Sequence, residues 1–519
     1  MQNAKILWVD DEIDLLKPHI LFLQQKGMFV TPASNGQDAL EFLSQEEFDI
    51  IFLDENMPGM NGLETLQHIR NIRAHTPVIM ITKSEEENLM NDALGSQIKD
   101  YLIKPVNPNQ ILLVCKKILT GKQLVSQKVN REYQKDFRNI GMAFTDDLGP
   151  EEWAELYKKL VFWELQLENS EDKSMLEILQ EQKAEANVNF TKFIMTHYLD
   201  WVNNNNKAPL LSPNLLSEKV FPHIKAGEHS LFFILIDCLR YDQWKVFEPI
   251  IAEYFNVTQE ETYYSILPTA TQYARNAIFS GYFPEEIAKK FPKFWVNDDE
   301  EGGKNLYEAE FLKEQIISSK LNIKHSYNKI LTTEDGNQIS DTILNLTRND
   351  FNVIVINFID LLSHARSEMN IIKELAPDEP ALRSLSRSWF IHSSLLALLK
   401  KLKDQKVKII ISTDHGTIRV KKPIKIIGDR STTTNLRYKQ GKNLNYDEKS
   451  RQIFSIKKPE QGRLPKSSVS ATYAFATEDC FFVYPNNYNY YANFYNDTFQ
   501  HGGISLEEMI IPIAYLSPK

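Results

Sequence analysis

Leu231-Phe-Phe-Ile-Leu-Ile-Asp237 is six consecutive apolar residues closed by a carboxylate, the pattern of a buried strand that ends at a polar position. Working outward, the pattern returns twice: Val353 to Phe358 is followed by Asp360, and Val407 to Ile411 by Asp414. In open parallel α/β sheets ligands bind beyond the carboxyl ends of the strands, so three strands would each deliver an aspartate to one crevice. His364, His415 and His501 stand beside or after those aspartates. Mixed carboxylate and imidazole ligation by Asp237, Asp360, His364, Asp414, His415 and His501 suits Zn²⁺ or Mn²⁺. Six such ligands can hold two ions about 4 Å apart, an arrangement suited to phosphoryl transfer. His197, His223, His229, His325 and His392 have no partner pattern, and Cys238 beside Asp237 reads as a buried thiol.

Such a centre needs a nucleophile. The segment Leu267-Pro-Thr-Ala-Thr-Gln-Tyr-Ala-Arg-Asn276 offers Thr269 and Thr271 at the start of a predicted helix, whose amino terminus favours an incoming phosphate. Arg275 and Asn276 lie one turn on as candidate phosphate contacts.

The amino-terminal region, residues 1–120, alternates short strands with helical segments. Here too polar residues gather at strand ends: Asp10 and Asp11, Asp54, Thr82, and Lys104 before Pro105. Three converging carboxylates repel one another unless a hard cation such as Mg²⁺ is bound. With Lys104 and the Thr82 hydroxyl to meet phosphoryl oxygens, Asp54 is a credible nucleophile for an aspartyl phosphate. Residues 121–206 show no strand-like run. Trp153, Leu156, Leu160 and Trp163, and then Phe190, Phe193, Ile194 and Tyr198, recur at helical spacing, predicting a helical bundle that ends at the Asn203–Asn206 run. The third region is 207–519. The predicted fold class is thus α/β, with a flavodoxin-like first domain, a helical linker and a larger α/β domain.

The spacing of Asp10, Asp11, Asp54, Thr82 and Lys104-Pro105 resembles the receiver domain of response regulators. That resemblance implies phosphorylation on Asp54, Mg²⁺ held by Asp10, Asp11, Asp54 and the Asn56 carbonyl, and Thr82, Tyr101 and Lys104 as the switch residues. The order Asp237, Thr271, Asp360-x-x-x-His364, Asp414-His415, His501 resembles the alkaline phosphatase superfamily. It implies one zinc ion on Asp237, Thr271, Asp414 and His415 and a second on Asp360, His364 and His501. Thr271 becomes the nucleophile, because the superfamily's diesterases place theirs three residues after the proline. His501-Gly-Gly-Ile-Ser-Leu-Glu-Glu-Met-Ile-Ile-Pro512 and the segment Asp429 to Tyr438 resemble the PglZ branch. A receiver joined to a PglZ domain is similar to a family of response regulators associated with type IX secretion. This implies a sensor histidine kinase as partner, an extracytoplasmic-function sigma factor as a further one, and a homodimer formed on phosphorylation. The alternative is a regulator that acts by contacting such proteins, with the metal domain as a scaffold.

Net charge is −10, and no basic recognition helix is evident, which disfavours a DNA-coating or direct DNA-binding role. From Thr417 to Lys466, however, 14 Lys or Arg face four acids. This stretch starts just after His415 and either forms a solvated basic loop or folds over the crevice as a lid. Arg430, Arg437, Tyr438 and Lys439 would then contact a substrate rich in phosphates or bases, an oligonucleotide phosphodiester. Three scattered cysteines, Asp10-Asp11 where a signal peptide needs apolar residues, and apolar runs far below a membrane span lead us to expect a cytoplasmic protein without membrane insertion.

Overall fold

The computed structural model describes residues 4–73, 76–82, 98–144, 147–168, 173–204, 208–225, 227–298, 300, 302–362, 376–429, 432–447, 450–468 and 470–519. They form two compact units, the first ending at Gln134 and the second starting at Lys135.

The first unit is built on strands β1 (Lys5–Val9), β2 (Phe29–Ala33), β3 (Ile50–Asp54), β4 (Val78–Thr82) and β5 (Asp100–Ile103). They pair in parallel in the order β2-β1-β3-β4-β5. Strand periodicity sends Ile6, Trp8 and Phe52 into one apolar layer and Leu7, Val9 and Leu53 into the other, so both faces must be covered by helices. This is the flavodoxin-like order, and its switch point lies between β1 and β3, where Asp10 and Asp54 emerge. The helix Gly62–Ile72 that follows β3 is started by a capping box between Asn61 and Glu64.

One helix runs from Pro108 to Ala143, so the boundary expected near residue 120 falls inside it. A single Gly121 among good helix formers costs about 1 kcal/mol, too little to end a 36-residue helix. Helices Pro150–Glu168 and Ser174–Asn203 belong to the second unit, together with the larger sheet.

That sheet contains β6 (Ser230–Ile236), β7 (Phe255–Tyr264), β8 (His325–Ile330), β9 (Phe351–Ile356), β10 (Val407–Ser412) and, at the carboxyl terminus, β18 (Ile510–Pro518). Its order is β7-β18-β10-β6-β9-β8, with β10, β6, β9 and β8 parallel and β18 and β7 antiparallel to their neighbours. The three aspartate-bearing strands β6, β9 and β10 are adjacent at its centre and buried along nearly their whole length. β9 ends at Ile356, two residues before the expected end, and Asp360 stands in the first turn of the helix that starts at Phe358.

The basic stretch is folded structure, not a solvated loop. It forms β11 (Ile418–Arg419), β12 (Lys422–Lys425), β13 (Tyr438–Lys442) and β14 (Ile453–Ile456), which pair with β15 (Ala471–Ala476), β16 (Cys480–Val483) and β17 (Phe499–Gln500) in three small sheets. Its charges are interleaved with Ile418, Val420, Ile424, Ile426 and Ile453, all buried, and those apolar residues tie the segment into a core of its own. Among the described residues no helix is long and apolar enough to cross a membrane.

Candidate functional site

In the first unit, carboxylate oxygens of Asp10, Asp11 and Asp54 lie within 4.8 Å of one another. Asp10 and Asp54 are buried and Asp11 is exposed. Lys104 Nζ bridges Asp10 Oδ2 and Asp54 Oδ2, each at 3.0 Å. Burial pushes the Asp54 carboxyl above its usual range; Lys104 works against that, and Asp10 and Asp11 reinforce it. For Lys104 burial acts downward, but bonds to Asp10 and Asp54 outweigh it and raise the ammonium. Three carboxylates against one lysine leave two uncompensated charges, and Asp54 Oδ1 makes no hydrogen bond among the described residues. Both observations fit a divalent cation such as Mg²⁺. Thr82 is buried at the end of β4, Tyr101 is exposed on β5, and Asn56 stands exposed two residues beyond Asp54.

In the second unit, Asp237 follows β6 and Asp414-His415 follows β10. Ligand atoms of these three buried residues also lie within 4.8 Å of one another. Thr271 is the first residue of the helix Thr271–Ser280, whose N-cap, Ala270, offers no side-chain cap. Its Oγ is 3.3 Å from Asp237 Oδ1 and 3.1 Å from His415 Nε2. Thr269, the alternative nucleophile, is fully buried and committed: its hydroxyl donates to the Gly503 carbonyl and accepts from the Gly502 N–H.

The two histidines are oriented alike. Nδ1 of His415 meets the Gly416 carbonyl at 3.1 Å, and Nδ1 of His501 meets the Thr269 carbonyl at 3.1 Å. A carbonyl only accepts, so each Nδ1 carries a proton, and in the neutral ring this is the tautomer a metal ligand at Nε2 needs. The rings stack at 4.3 Å, and His501 Nε2 stands 3.6 Å from Asp360 Oδ1. Five expected ligands are thereby brought together with Thr271. His364 lies outside the described residues.

Burial, and then the neighbouring Asp414, drives the Asp237 carboxyl well above its usual range; burial likewise raises Asp414 and lowers His415. Asp414 Oδ2 makes no hydrogen bond among the described residues. Buried carboxylates in mutual repulsion, an orphaned oxygen and converging imidazole lone pairs form a donor set that fits a divalent transition metal, Zn²⁺ or Mn²⁺.

The residues expected to contact substrate have partners within the chain. Arg275 is buried, donates to Asp237 Oδ2 at 2.7 Å and pairs with Glu308, which also holds Tyr327 and Lys329. It fixes Asp237 and leaves Oδ1 facing Thr271. Asn276 donates to the Lys304 carbonyl and accepts from Asn305. Arg437 is fully buried against Glu508 and the Cys480 carbonyl. Tyr438 donates to Asp298, while Lys439 donates to the Thr433 carbonyl and sits over Tyr484. All five spend their polar groups inside the fold; Arg430 lies outside the described residues. Sequence reading missed Glu308 as the anchor of Arg275, because a lone acid on a helix carries no signal of its partner.

Comparison with known proteins matches three successive stretches. Residues 6–116 match the response regulator receiver domain, 123–202 the PorX response regulator linker domain, and 215–516, more than half of the chain, the BREX system PglZ alkaline phosphatase-like domain. Among individual proteins, the transcriptional regulatory protein ResD of Bacillus subtilis is 34% identical over 117 residues, 22% of this chain and 48% of ResD. SrrA of Staphylococcus aureus is 30% identical over 134 residues, 26% of this chain and 55% of SrrA. The chain thus spans about half the length of these relatives. Among solved structures, the chemotaxis response regulator CheY4 of Vibrio cholerae is 30% identical, covering 22% of this chain and 99% of that one, with a TM-score of 0.22. TrrA of Thermotoga maritima, in complex with Mg²⁺ and BeF, is 29% identical, covering 22% and 98%, with a TM-score of 0.21.

Proposed function

The chain belongs to the PglZ alkaline phosphatase-like family, and from that premise we propose that it is a response regulator, phosphorylated on Asp54, whose output is a zinc-dependent phosphodiesterase. The observation that carries this reading is the placement of the Thr271 hydroxyl against Asp237 and the proton-free face of His415, with Asp414, Asp360 and His501 gathered around them.

Asp237, Asp414 and His415 with Thr271 would hold one zinc ion and Asp360, His364 and His501 the other; when bound, the pair supplies Lewis acidity for a hydroxyl nucleophile and a departing alkoxide. Thr271 Oγ forms a bond to phosphorus as the bond to the leaving alcohol oxygen breaks; the threonine proton passes to Asp237 Oδ1, 3.3 Å away, and on to solvent, while the departing alkoxide, on the opposite side of phosphorus, takes its proton from water. Water then attacks the phosphothreonine ester from the vacated side. The bond from phosphorus to Oγ breaks, and Thr271 recovers a proton from the water. Arg275 keeps Asp237 Oδ2 occupied throughout, so Oδ1 alone turns to the reaction. The uncapped amino terminus of the Thr271–Ser280 helix favours the anionic phosphoryl oxygens.

The substrates are nucleotide or oligonucleotide phosphodiesters, linear or cyclic. The input is phosphoryl transfer from a sensor histidine kinase in the cytoplasm. Phosphorylation drives a homodimer, and the output bears on type IX secretion, with an extracytoplasmic-function sigma factor as a further partner. The test is release of nitrophenol from bis(p-nitrophenyl) phosphate by the full-length chain, stripped by chelator and then reloaded. The expected result is turnover with Zn²⁺ or Mn²⁺ and none without metal. A reloaded chain that is inert before and after Asp54 phosphorylation would favour regulation by protein contact instead.

A further inference from the structure

The helices between the receiver and the sheet carry charge where a linker needs none. Glu164, on Pro150–Glu168, is buried and bonds Lys183 at 2.6 Å and Arg383 at 3.0 Å. Burial works to raise its carboxyl, but those two cations outweigh it and hold it down at about 2. Arg383 reaches Asp242 at 2.8 Å, and Asp242 is bonded to Arg240, three residues after Asp237. Lys183 approaches Glu507 at 3.5 Å. Asn187, one turn further along Ser174–Asn203 and buried, donates to Glu507 at 3.1 Å and accepts from the Leu506 N–H at 2.8 Å.

The turn that Asn187 grips lies against both histidine loops. It begins four residues after His501, and its Glu508 accepts the Gly503 N–H at 2.9 Å. On the other side the Gly416 N–H, next to His415, donates to the Glu508 carbonyl. A side chain at Gly416 would stand 2.0 Å from the Glu507 carbonyl oxygen, so the two backbones touch. Buried ion pairs of this kind seldom add stability over apolar packing, whereas groups outside the ligand shell do orient ligands.

Resting on the metal-centre reading above, we propose that the helical segment is a working part of that centre: Asn187, with Glu164 and Lys183, positions the 505–508 turn and the bridge from Arg383 through Asp242 to Arg240, and through them His501, His415 and Asp237. These are positioning residues and touch no substrate.

The test uses the full chain loaded with Co²⁺, comparing wild type with Asn187→Ala and Glu164→Gln, and with Asn189→Ala as a half-buried control whose side chain bonds only Glu185 and Lys192 of its own helix. The Co²⁺ ligand-field spectrum, the affinity from competition with a chelating dye, and kcat and KM on bis(p-nitrophenyl) phosphate are read together. Asn187→Ala is expected to bind Co²⁺ about tenfold more weakly, with a changed spectrum and a lower kcat at unchanged KM, while Asn189→Ala matches wild type. A folded Asn187→Ala with wild-type spectrum, affinity and kcat overturns the inference; if that variant does not fold, the same result from Glu164→Gln overturns it. A wild-type chain that takes up no cobalt overturns the metal-centre reading, and this inference with it.

Discussion

Replacing Thr271 by alanine lowers kcat on bis(p-nitrophenyl) phosphate by roughly a thousandfold or more, with a melting temperature close to wild type. The size follows from removing the nucleophile while leaving the rest of the site in place. The mildness toward the fold follows from position. Thr271 opens its helix but does not cap it, alanine is the best helix former, and the side chain is half-buried with partners only inside the site. Arg275 still clamps Asp237 in the variant. Thr269→Ala is different in kind, since it strips a hydroxyl that ties Gly502 and Gly503 and so loosens His501. A Thr271→Ala chain with full turnover would remove the threonine from the chemistry.

Asp54→Asn abolishes phosphoryl incorporation from acetyl phosphate, and with it any phosphorylation-driven rise in mass by sedimentation. The asparagine keeps the shape of the side chain but has no anionic oxygen to attack phosphorus, and Lys104 then has Asp10 alone to pair with. The transfer forms a bond from an Asp54 oxygen to phosphorus as the bond to the acetate oxygen breaks, so no other group in the pocket substitutes. Asp11 is exposed, and Asp10 is already bonded to the Glu12 N–H and Lys104. Acid-labile label on an Asp54→Asn chain would place the phosphoryl acceptor elsewhere.

What the sequence disclosed was the part of the molecule that repeats a rule. Strands buried on both faces read as unbroken apolar runs, and a carboxylate that ends such a run has few roles other than binding. Asp237 and Asp414, and Asp10 and Asp54 at the switch point of the smaller sheet, were therefore legible. The two histidines were legible as residue types, but their tautomers were not. These depend on carbonyls of Gly416 and Thr269, one adjacent and one 232 residues away.

The partners of the expected substrate contacts were not legible for a single reason: a sequence displays a charge and hides its partner. Arg437 sits in a basic run and reads as a substrate contact, yet its partner Glu508 is 71 residues on. Arg383 and Glu164 are 219 residues apart, so the helical segment read as a connector when its buried charges reach the loops of the metal centre. The basic stretch hid its fold in the same way. Its charge was conspicuous, and the alternating isoleucines that fold it into small sheets were not.

The most direct test of the central claim, hydrolysis through a threonine ester, is the stereochemical course at phosphorus. A diester made chiral there with sulfur and oxygen isotopes is turned over by the zinc-loaded chain, and the configuration of the product is read. Each in-line displacement inverts phosphorus, so attack by Thr271 followed by attack by water predicts net retention. Net inversion would mean that water attacks the diester directly, and would contradict the account.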